Sequence, residues 1–262
     1  MNDDIRNIVL GLVAAGLSAL IGWLARTYRW RRSLRRTQDF FGLPPSSDAL
    51  LVVNREAGRD GSVKRGDVFA LLELAALIKD CGARAQVIWH DEARQGVGEQ
   101  AEFCVGGPVS NQRMGAHRRS LRPGVAMDTS AEPGPDRGAF RIGTEVYRAE
   151  YGTAEYVLLA RLTPGEEGRP VFLLCGQLAT ANQAAARYLA RNHRRLARAH
   201  RKGAFCLLLK VVDSAAYGPD VVEVVADVTE TARTPRPAVE AGAAGAARPA
   251  CPPPGPPPPG LR

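Results

Sequence analysis

Apolar runs separated by polar and glycine-rich turns divide residues 48–230 into alternating strands and helices. Short apolar runs predict three buried strands, at 48–54, 83–92 and 102–105. A helical period that stops at Gly82 predicts a helix over 66–82, because glycine is the usual residue just past a helix end. A Ser-Asn pair before a polar stretch predicts a second helix over 110–121.

The second half of this region predicts neighbouring strands around one long helix. Apolar runs joined by turns of hairpin type (EYGT and PGEEGRP) predict strands at 138–151, 153–164 and 169–176. A helix over 178–202 follows, and then a strand pair at 204–213 and 220–230. This order predicts an α/β class domain, a Rossmann-like mixed sheet with flanking helices, whose early strands are parallel and buried.

The N-terminal segment predicts a membrane anchor. Ile8–Ala25 contains no charged residue over 18 positions, which approaches the roughly 20 needed to cross a bilayer. Asp3 and Asp4 precede this run and six arginines follow it within residues 26–36. Because arginine-rich flanks stay in the cytoplasm, the pattern predicts a single-pass span with the N-terminus outside and the C-terminal domain cytoplasmic. A buried core helix is the alternative interpretation.

Composition divides the chain into four parts and explains its charge. They are an anchor at 1–26, a basic juxtamembrane stem and hinge at 27–47, an α/β domain at 48–230 and a Pro/Ala-rich tail at 231–262 that we expect to be disordered. The formal charge is +8, and the six stem arginines account for most of it. The basic balance therefore indicates the lipid bilayer and its anionic headgroups as partners, and it disfavours nucleic acid.

Glycine turns at strand ends predict a ligand site. In open α/β sheets, ligands bind outside the carboxyl ends of parallel strands. We expect that edge to bring together the following residues: Asn54, Gly106, Gly107, Ser110, Asn111 and Gly176. Free amides at a helix start favour an anion such as a nucleotide-like ligand. The stretch CVGGPVSN lacks the spacing of known phosphate loops, so a purely structural turn is equally open, and in that case Asn111 acts as a helix cap.

Two motifs carry a resemblance to a known class. FCVGGPVSN after one strand and VFLLCGQLATANQAAARYLARN after a later one resemble a Rossmann-like α/β domain with a strand-GGPxxN-helix motif. Such domains occur in prokaryotic, bacterial envelope proteins of the S-layer type and in membrane-anchored proteins of undefined activity. The resemblance covers about residues 48–212 and implies a fold rather than a reaction. Where those domains often carry Gly-Thr, this chain has Ala181-Asn182.

Few residues suggest catalysis. The four histidines are scattered without metal-type spacing and are interpreted as surface residues, and the five cysteines as buried, reduced thiols. Asp91 and Glu92 follow a strand where an acidic residue can contact ribose in dinucleotide folds. No group supplies a nucleophile, a base and an oxyanion donor together. We therefore expect no metal and no cofactor, and catalysis remains an open question.

The long helix carries a basic stripe. Arginines recur at steps of three and four, at positions 187, 191, 194, 198 and 201, opposite an apolar face of Ala185, Tyr188, Leu189, Leu196 and Ala199. The stripe, in particular Arg191, Arg194 and Arg198, predicts an anionic surface contact, with a solvated outer face as the alternative. The whole pattern favours a membrane-anchored binding or sensing module. A nucleotide-processing enzyme acting at the glycosidic bond and a scaffold without a ligand are the alternatives, and homo-oligomers are open.

Overall fold

A computed structural model describes residues 2–56, 61–121, 124–130, 132, 134–165, 167–200 and 203–234. The helices are α1 (Asn2–Phe41), α2 (Arg65–Asp80), α3 (Gln112–Leu121), α4 (Ala179–Ala199), α5 (Ser214–Tyr217) and α6 (Thr229–Arg233). The strands are β1 (Asp48–Val53), β2 (Arg84–Trp89), β3 (Ala101–Val105), β4 (Val125–Met127), β5 (Phe140–Ile142), β6 (Glu145–Tyr147), β7 (Ala154–Leu162), β8 (Val171–Gly176), β9 (Phe205–Val212) and β10 (Val222–Asp227). The predicted α/β class is confirmed.

The main sheet is mixed and has seven strands in the order β10-β9-β7-β8-β3-β1-β2. β2, β1, β3 and β8 run parallel to one another, and β7, β9 and β10 extend the sheet through antiparallel pairings. The predicted parallel beginning and the hairpin from β7 to β8 are therefore confirmed. β8 is distant from β3 in sequence, but a crossover places the two strands side by side. The carboxyl ends of β1, β3 and β8 therefore lie next to each other.

Alternate residues of each strand serve two separate cores. On one face of the sheet, Leu51, Phe103 and Phe172 pack with α2, α4 and the end of α1. On the other face, Val52, Cys104 and neighbouring side chains pack under α3 and a small second sheet. Because both faces are covered, the central strands are mostly apolar rather than alternating, as the sequence pattern indicated.

Helix α1 runs without interruption from the apolar segment into the domain. The stem is helical as far as Phe41, and Phe40, Phe41 and Leu43 are buried in the core, so the non-helical link to β1 begins only at Gly42. The amide of Gln38 donates to the carbonyl of Cys81 at 2.7 Å, which attaches this end to α2. The stem ends in FFGL, so its last residues supply core side chains that belong to the domain.

The second sheet corrects one prediction about the hairpins. β5 pairs with both β4 and β6, so the segment at 138–151 forms part of a separate sheet rather than one strand of the main sheet. The predicted turn at EYGT is present: Glu150 and Ala154 form an antiparallel bridge that leads into β7. Phe140 and Ile142 of β5 pack against the main sheet in the second core, and the amide nitrogen of Gln177 donates to the carbonyls of Gly138 and Tyr147.

The C-terminal part of the domain extends past the predicted boundary. α6 reaches Arg233, and Ala232 is fully buried against the second core, so residues 231–233 are part of the fold and not of the tail. The helix exists because Val228 and Ala232 cover an apolar patch that β9 leaves exposed. Residues 235–262, on which the prediction of a disordered tail falls, lie outside the described residues.

Candidate functional site

The carboxyl ends of β1, β3 and β8 lie side by side, as the sequence predicted. Asn54, Gly106 and Gly176 follow or end these parallel neighbours, and the amide of Asn54 reaches the hydroxyl oxygen of Ser110 at 3.2 Å. All six residues of the predicted ligand site are therefore at one edge of the sheet. What each of them contacts decides whether it can also contact a ligand.

Gly106 is a glycine because of a protein contact. Its φ is +108°, and a Cβ at this position would lie 2.9 Å from Cγ of Asn54. Its N–H donates to the carbonyl of Leu174 at 3.0 Å, which continues the pairing of β3 with β8. The left-handed turn and the close approach of Asn54 both require a residue without a side chain. This position is explained by packing.

Asn111 is fully buried and fixes the start of α3. Its Oδ1 accepts from the N–H of Met114 at 2.9 Å, which is the hydrogen bond of a helix cap. Its Nδ2 donates to the carbonyl of Val105 at 2.9 Å and lies 3.4 Å from the sulfur of Cys104. The side chain joins β3 to α3 with both of its polar atoms. It is not exposed to a ligand at the rim.

A buried polar group that the sequence analysis missed links three elements at the same edge. Oδ1 of Asn182, in the first turn of α4, accepts from the N–H of Gly176 at 2.7 Å. Nδ2 of Asn182 donates to Asp67 at the start of α2 at 2.7 Å. A Cβ at Gly176 would lie 2.6 Å from the same Asn182 oxygen. The signal for this group was Asn182 itself, a polar residue on the small-residue face of a helix.

Burial raises the pKa of Asp67, and hydrogen bonds from Asn182 and Asn54 only partly oppose this effect. Two buried oxygens, Oδ2 of Asp67 and Oδ1 of Asn54, have no hydrogen-bond partner. The Ser110 hydroxyl accepts from Nδ2 of Asn54 at 3.2 Å and donates to the carbonyl of Gly107 at 3.3 Å, so within the described residues it leaves both oxygens unsatisfied.

Gly107 and Ser110 are the two predicted site residues that remain partly open. A Cβ at Gly107 would meet its nearest neighbour, the carbonyl oxygen of Gly176, at 3.6 Å, an ordinary contact distance. Opposite them α4 begins at Ala179 without a side-chain cap. The amides of Ala181 and Asn182 donate to the carbonyl of Leu178. Gly66 of α2 packs against the amide of Thr180, so protein contacts occupy most of this helix start. The open part of the rim is small and consists mainly of backbone.

The acidic pair after β2 is occupied by an arginine. Arg55 forms ion pairs with Asp91 at 3.2 Å and Glu92 at 3.3 Å, and its guanidinium lies 4.4 Å from the centre of the Trp89 ring. These carboxylates therefore hold the end of β1 to the end of β2. A ribose contact through Asp91 or Glu92 would have to compete with this arrangement.

His117 corrects the interpretation of the histidines as surface residues. It is 3% exposed, and its Nε2 lies 2.9 Å from Oε1 of Glu102. Arg113 forms a bidentate pair with the same carboxylate at 2.8 and 2.7 Å. Nη1 of Arg113 donates to the carbonyl of Ala93, and Nη2, which also contacts Glu102, donates to the carbonyl of Gln95. This group fastens the loop before β3 to α3, and Glu102 was hidden in the sequence inside an apolar strand.

The basic stripe of α4 divides into two halves. Arg187 pairs with Glu73 at 2.8 Å and with Asp220 at 2.9 Å, and Arg191 approaches Asp220 at 3.5 Å. Arg194 and Arg198 instead line a cleft of about 590 Å³ between α1 and α4. Arg201 lies outside the described residues. On the opposite face Ala185, Tyr188, Leu189 and Leu196 are buried as predicted, whereas Ala199 is exposed.

The described cysteines, Cys81, Cys104, Cys175 and Cys206, are buried and not joined in disulfides, as the sequence predicted. Burial raises the pKa of Cys81 to about 11 and that of Cys175 to about 12, so both remain thiols at neutral pH. Across the described ranges, no three His, Cys, Asp or Glu residues are grouped as metal ligands would be.

Comparison with known protein families, with curated proteins and with solved structures finds no match to this chain. The resemblance to envelope-protein domains stays a prediction. The arguments for function therefore come from the molecule itself: a helix long and apolar enough to cross a membrane, a sheet edge whose buried amides bind protein partners, and a basic cleft beside that helix.

Proposed function

We propose that this protein is a membrane-anchored binding module whose α/β domain faces the cytoplasm and recognises a phosphate-bearing, nucleotide-like anion. The observation that carries the proposal is the continuity of α1. The helix has an apolar segment long enough to cross a membrane, with none of that segment buried, and its last residues lie in the domain core. The alternative of a buried core helix does not fit side chains such as Leu12 and Ile21, which are largely exposed.

The orientation of the anchor follows from charge. Arginines at positions 26, 29, 31, 32, 35 and 36 lie on α1 directly after the apolar segment. Their concentration on one side favours retention of that side in the cytoplasm. Because α1 is one helix, the domain is on the same side as these arginines.

Binding is favoured over catalysis because the buried polar groups contact one another. Asp67, Glu102, His117 and Glu155 are the acid–base residues deepest in the described fold, and each has a hydrogen bond to a protein partner. None of them lies at an open surface where a substrate could reach it. A catalytic acid or base has to come within hydrogen-bond reach of a substrate proton.

The orientation is tested in intact cells that carry the full chain with a protease-sensitive tag after Arg262. We expect added protease to cleave the tag only after the membrane is permeabilised. Cleavage of the tag in intact cells would refute the cytoplasmic location. Recovery of a chain that starts after the apolar segment would refute the anchor.

Ligand recognition is tested with the full chain in nanodiscs of neutral lipid. We expect ATP and inorganic tripolyphosphate to raise the melting temperature, while adenosine, which lacks phosphate, leaves it unchanged. Binding to the folded state alone raises stability with ligand concentration. Conversion of ATP during the measurement would favour the enzyme alternative, and the absence of any shift would refute the binding module.

A further inference from the structure

The cleft between α1 and α4 has the composition of an anion site. The side chains that line it come from the end of α1, from β7 and from the end of α4. Among the described residues that line it, the basic ones are Arg36, Arg161, His193, Arg194, Arg198 and His200, and the acidic one is Asp39. With a volume of about 590 Å³ the cleft is large enough for a ligand of several phosphate groups.

The arginines on the walls of the cleft are not used by the fold. Arg36, Arg194 and Arg198 are exposed, and none of them forms an ion pair with a carboxylate of the described residues. Arg187 and Arg191 on the same helix do form such pairs. Three unneutralised guanidinium groups around one concave surface raise the local concentration of anions.

The floor of the cleft contains a further cation that the fold holds in place. Arg161 is 8% exposed, and its Nε donates to the carbonyl of Phe40 at 3.0 Å. Burial lowers the pKa of Arg161. A Cβ at Gly203 would lie 2.5 Å from Nη1 of Arg161, so the glycine leaves room for this guanidinium at the edge of the cleft. The cation is pre-positioned and does not have to be ordered by a ligand.

The distance from the bilayer distinguishes a soluble anion from a lipid headgroup. Arg36 follows the end of the apolar segment by about 16 Å of helix at 1.5 Å per residue. The headgroup layer adds only about 5–8 Å to the hydrocarbon core, and charge interactions in solution are screened over about 8 Å. The cleft therefore lies beyond the headgroups, and its occupant comes from the aqueous phase.

We infer that the α1–α4 cleft is the binding site for a soluble polyphosphate anion, held by Arg36 on one wall and Arg194 and Arg198 on the other. This inference rests on the proposed function and gives it a location away from the carboxyl edge of the sheet. Guanidinium groups suit this ligand because they bind phosphate oxygens in pairs and stay charged.

The inference is tested with the full chain in phosphatidylcholine nanodiscs and inorganic tripolyphosphate as the probe, measured by calorimetry and melting temperature. We expect Arg36→Gln and Arg194→Gln each to weaken binding about tenfold or more, the usual loss for a charged hydrogen bond. Arg191→Gln is the matched control, since it removes the same charge from the same helix outside the cleft. All three positions are exposed, so the variants should keep the wild-type melting temperature without the probe.

Equal weakening by Arg191→Gln would indicate diffuse attraction and overturn the site. Binding that survives both cleft substitutions but is lost in Gly107→Val would move the ligand to the rim, leaving the proposed function intact. No binding of tripolyphosphate by the wild type would overturn both. A second measurement uses nanodiscs that contain phosphatidic acid, without tripolyphosphate. There we expect the wild type and Arg194→Gln to have the same melting temperature. A rise in melting temperature that Arg194→Gln abolishes would assign the cleft to a headgroup and overturn the soluble ligand.

Discussion

The ring of Phe41 packs against the ring of Phe172, with centroids 5.3 Å apart and planes inclined by 46°. Phe41 is the last residue of the helix that begins in the apolar N-terminal segment, and Phe172 lies on β8 in the middle of the main sheet. The potential membrane helix and the centre of the domain are therefore in direct contact. The stability of the domain should therefore depend on Phe41.

Replacing Phe41 by alanine should destabilise the whole domain. The side chain is fully buried between Phe40, Phe103 and Phe172, and removing a buried phenylalanine typically costs about 3–5 kcal/mol. Denaturant unfolding of the full chain in micelles measures the loss. Leu72→Ala on the exposed side of α2 is the control and should change the unfolding free energy by less than about 0.5 kcal/mol.

A truncation tests the same contact. A chain that starts at Ser46 lacks Phe40, Phe41 and Leu43, and we expect it to aggregate or to unfold without cooperativity. A chain that starts at Arg26 keeps these residues and should unfold cooperatively. Equal stability of the two would show that the end of α1 is dispensable.

The Asp67 carboxyl should make the protein less stable as pH rises. Its folded pKa is raised above 3.8 because burial penalises the charged form. The folded state therefore binds the proton more tightly, and stability from this group declines as pH increases from about 3.8 through the raised pKa. Asp67→Asn should remove this decline and be more stable than the wild type at neutral pH. Urea unfolding at several pH values measures the difference.

A control for this effect is Asp48→Asn, because Asp48 forms an exposed pair with Arg84. It should leave the pH profile close to that of the wild type. A profile that is identical in wild type and Asp67→Asn would show that the buried carboxyl does not titrate as its surroundings indicate.

The Glu102 carboxyl should have the opposite effect to Asp67: it should make the protein less stable as pH falls. Burial alone would raise its pKa, but hydrogen bonds and charge from His117 and Arg113 outweigh burial, and the pKa is lowered below 4.5. Stability from this group is complete above 4.5 and is lost as pH falls through the lowered pKa. Glu102→Gln leaves Arg113 and His117 without their carboxylate and should cost about 3 kcal/mol at neutral pH.

The measurement is the unfolding free energy at pH 7 and at pH 3. The cost of Glu102→Gln should shrink at the lower pH, because the carboxyl of the unfolded wild type takes up a proton below about 4.5 and part of the stabilisation is then lost. Glu99→Gln, on the exposed loop before β3, serves as the control and should behave like the wild type. If Glu102→Gln lost the same unfolding free energy at both pH values, packing rather than charge would hold Glu102, Arg113 and His117 together.

The two adjacent glycines should respond differently to alanine. Gly106→Ala forces a side chain into a left-handed turn and against Asn54 and should cost more than about 1 kcal/mol. Gly107→Ala meets no close contact and should be nearly neutral. Asn111→Ala should cost more than the roughly 1 kcal/mol of a helix cap, because it also removes the bond to Val105. Thermal unfolding of the three variants ranks them, and equal losses at both glycines would contradict the packing explanation.

The sequence predicted the regular elements well because their signals are local. β1, α2, β3 and α4 are marked by apolar runs of the right length and by glycine ends, and the convergence of Asn54, Gly106 and Gly176 followed from parallel neighbours. Short elements such as α5 and β4 have too few residues for a period to appear. The end of α1 was misplaced because basic stem residues conceal that FFGL is a core segment.

The chemistry of the edge could not be predicted, since it depends on which polar atoms meet across the fold. Asp67 and Asn182 are more than a hundred residues apart in the chain, and their 2.7 Å contact has no counterpart in local spacing. The same holds for the ion pairs that separate Arg187 and Arg191 from Arg194 and Arg198. Periodicity placed these arginines on one stripe, and only their neighbours show which of them are unpaired.

The position of Phe41 also determines the order in which the domain can form during synthesis. Phe41 leaves the ribosome early, whereas Phe172 is added about 130 residues later. At about 5–20 residues per second, roughly 7 to 26 s separate the two. For that time the aromatic end of α1 has no partner from β8, and the growing chain carries an uncovered apolar surface next to its N-terminal helix. The finished sheet covers the end of α1, which is synthesised long before β8. The last step of folding therefore takes place at the end of that helix.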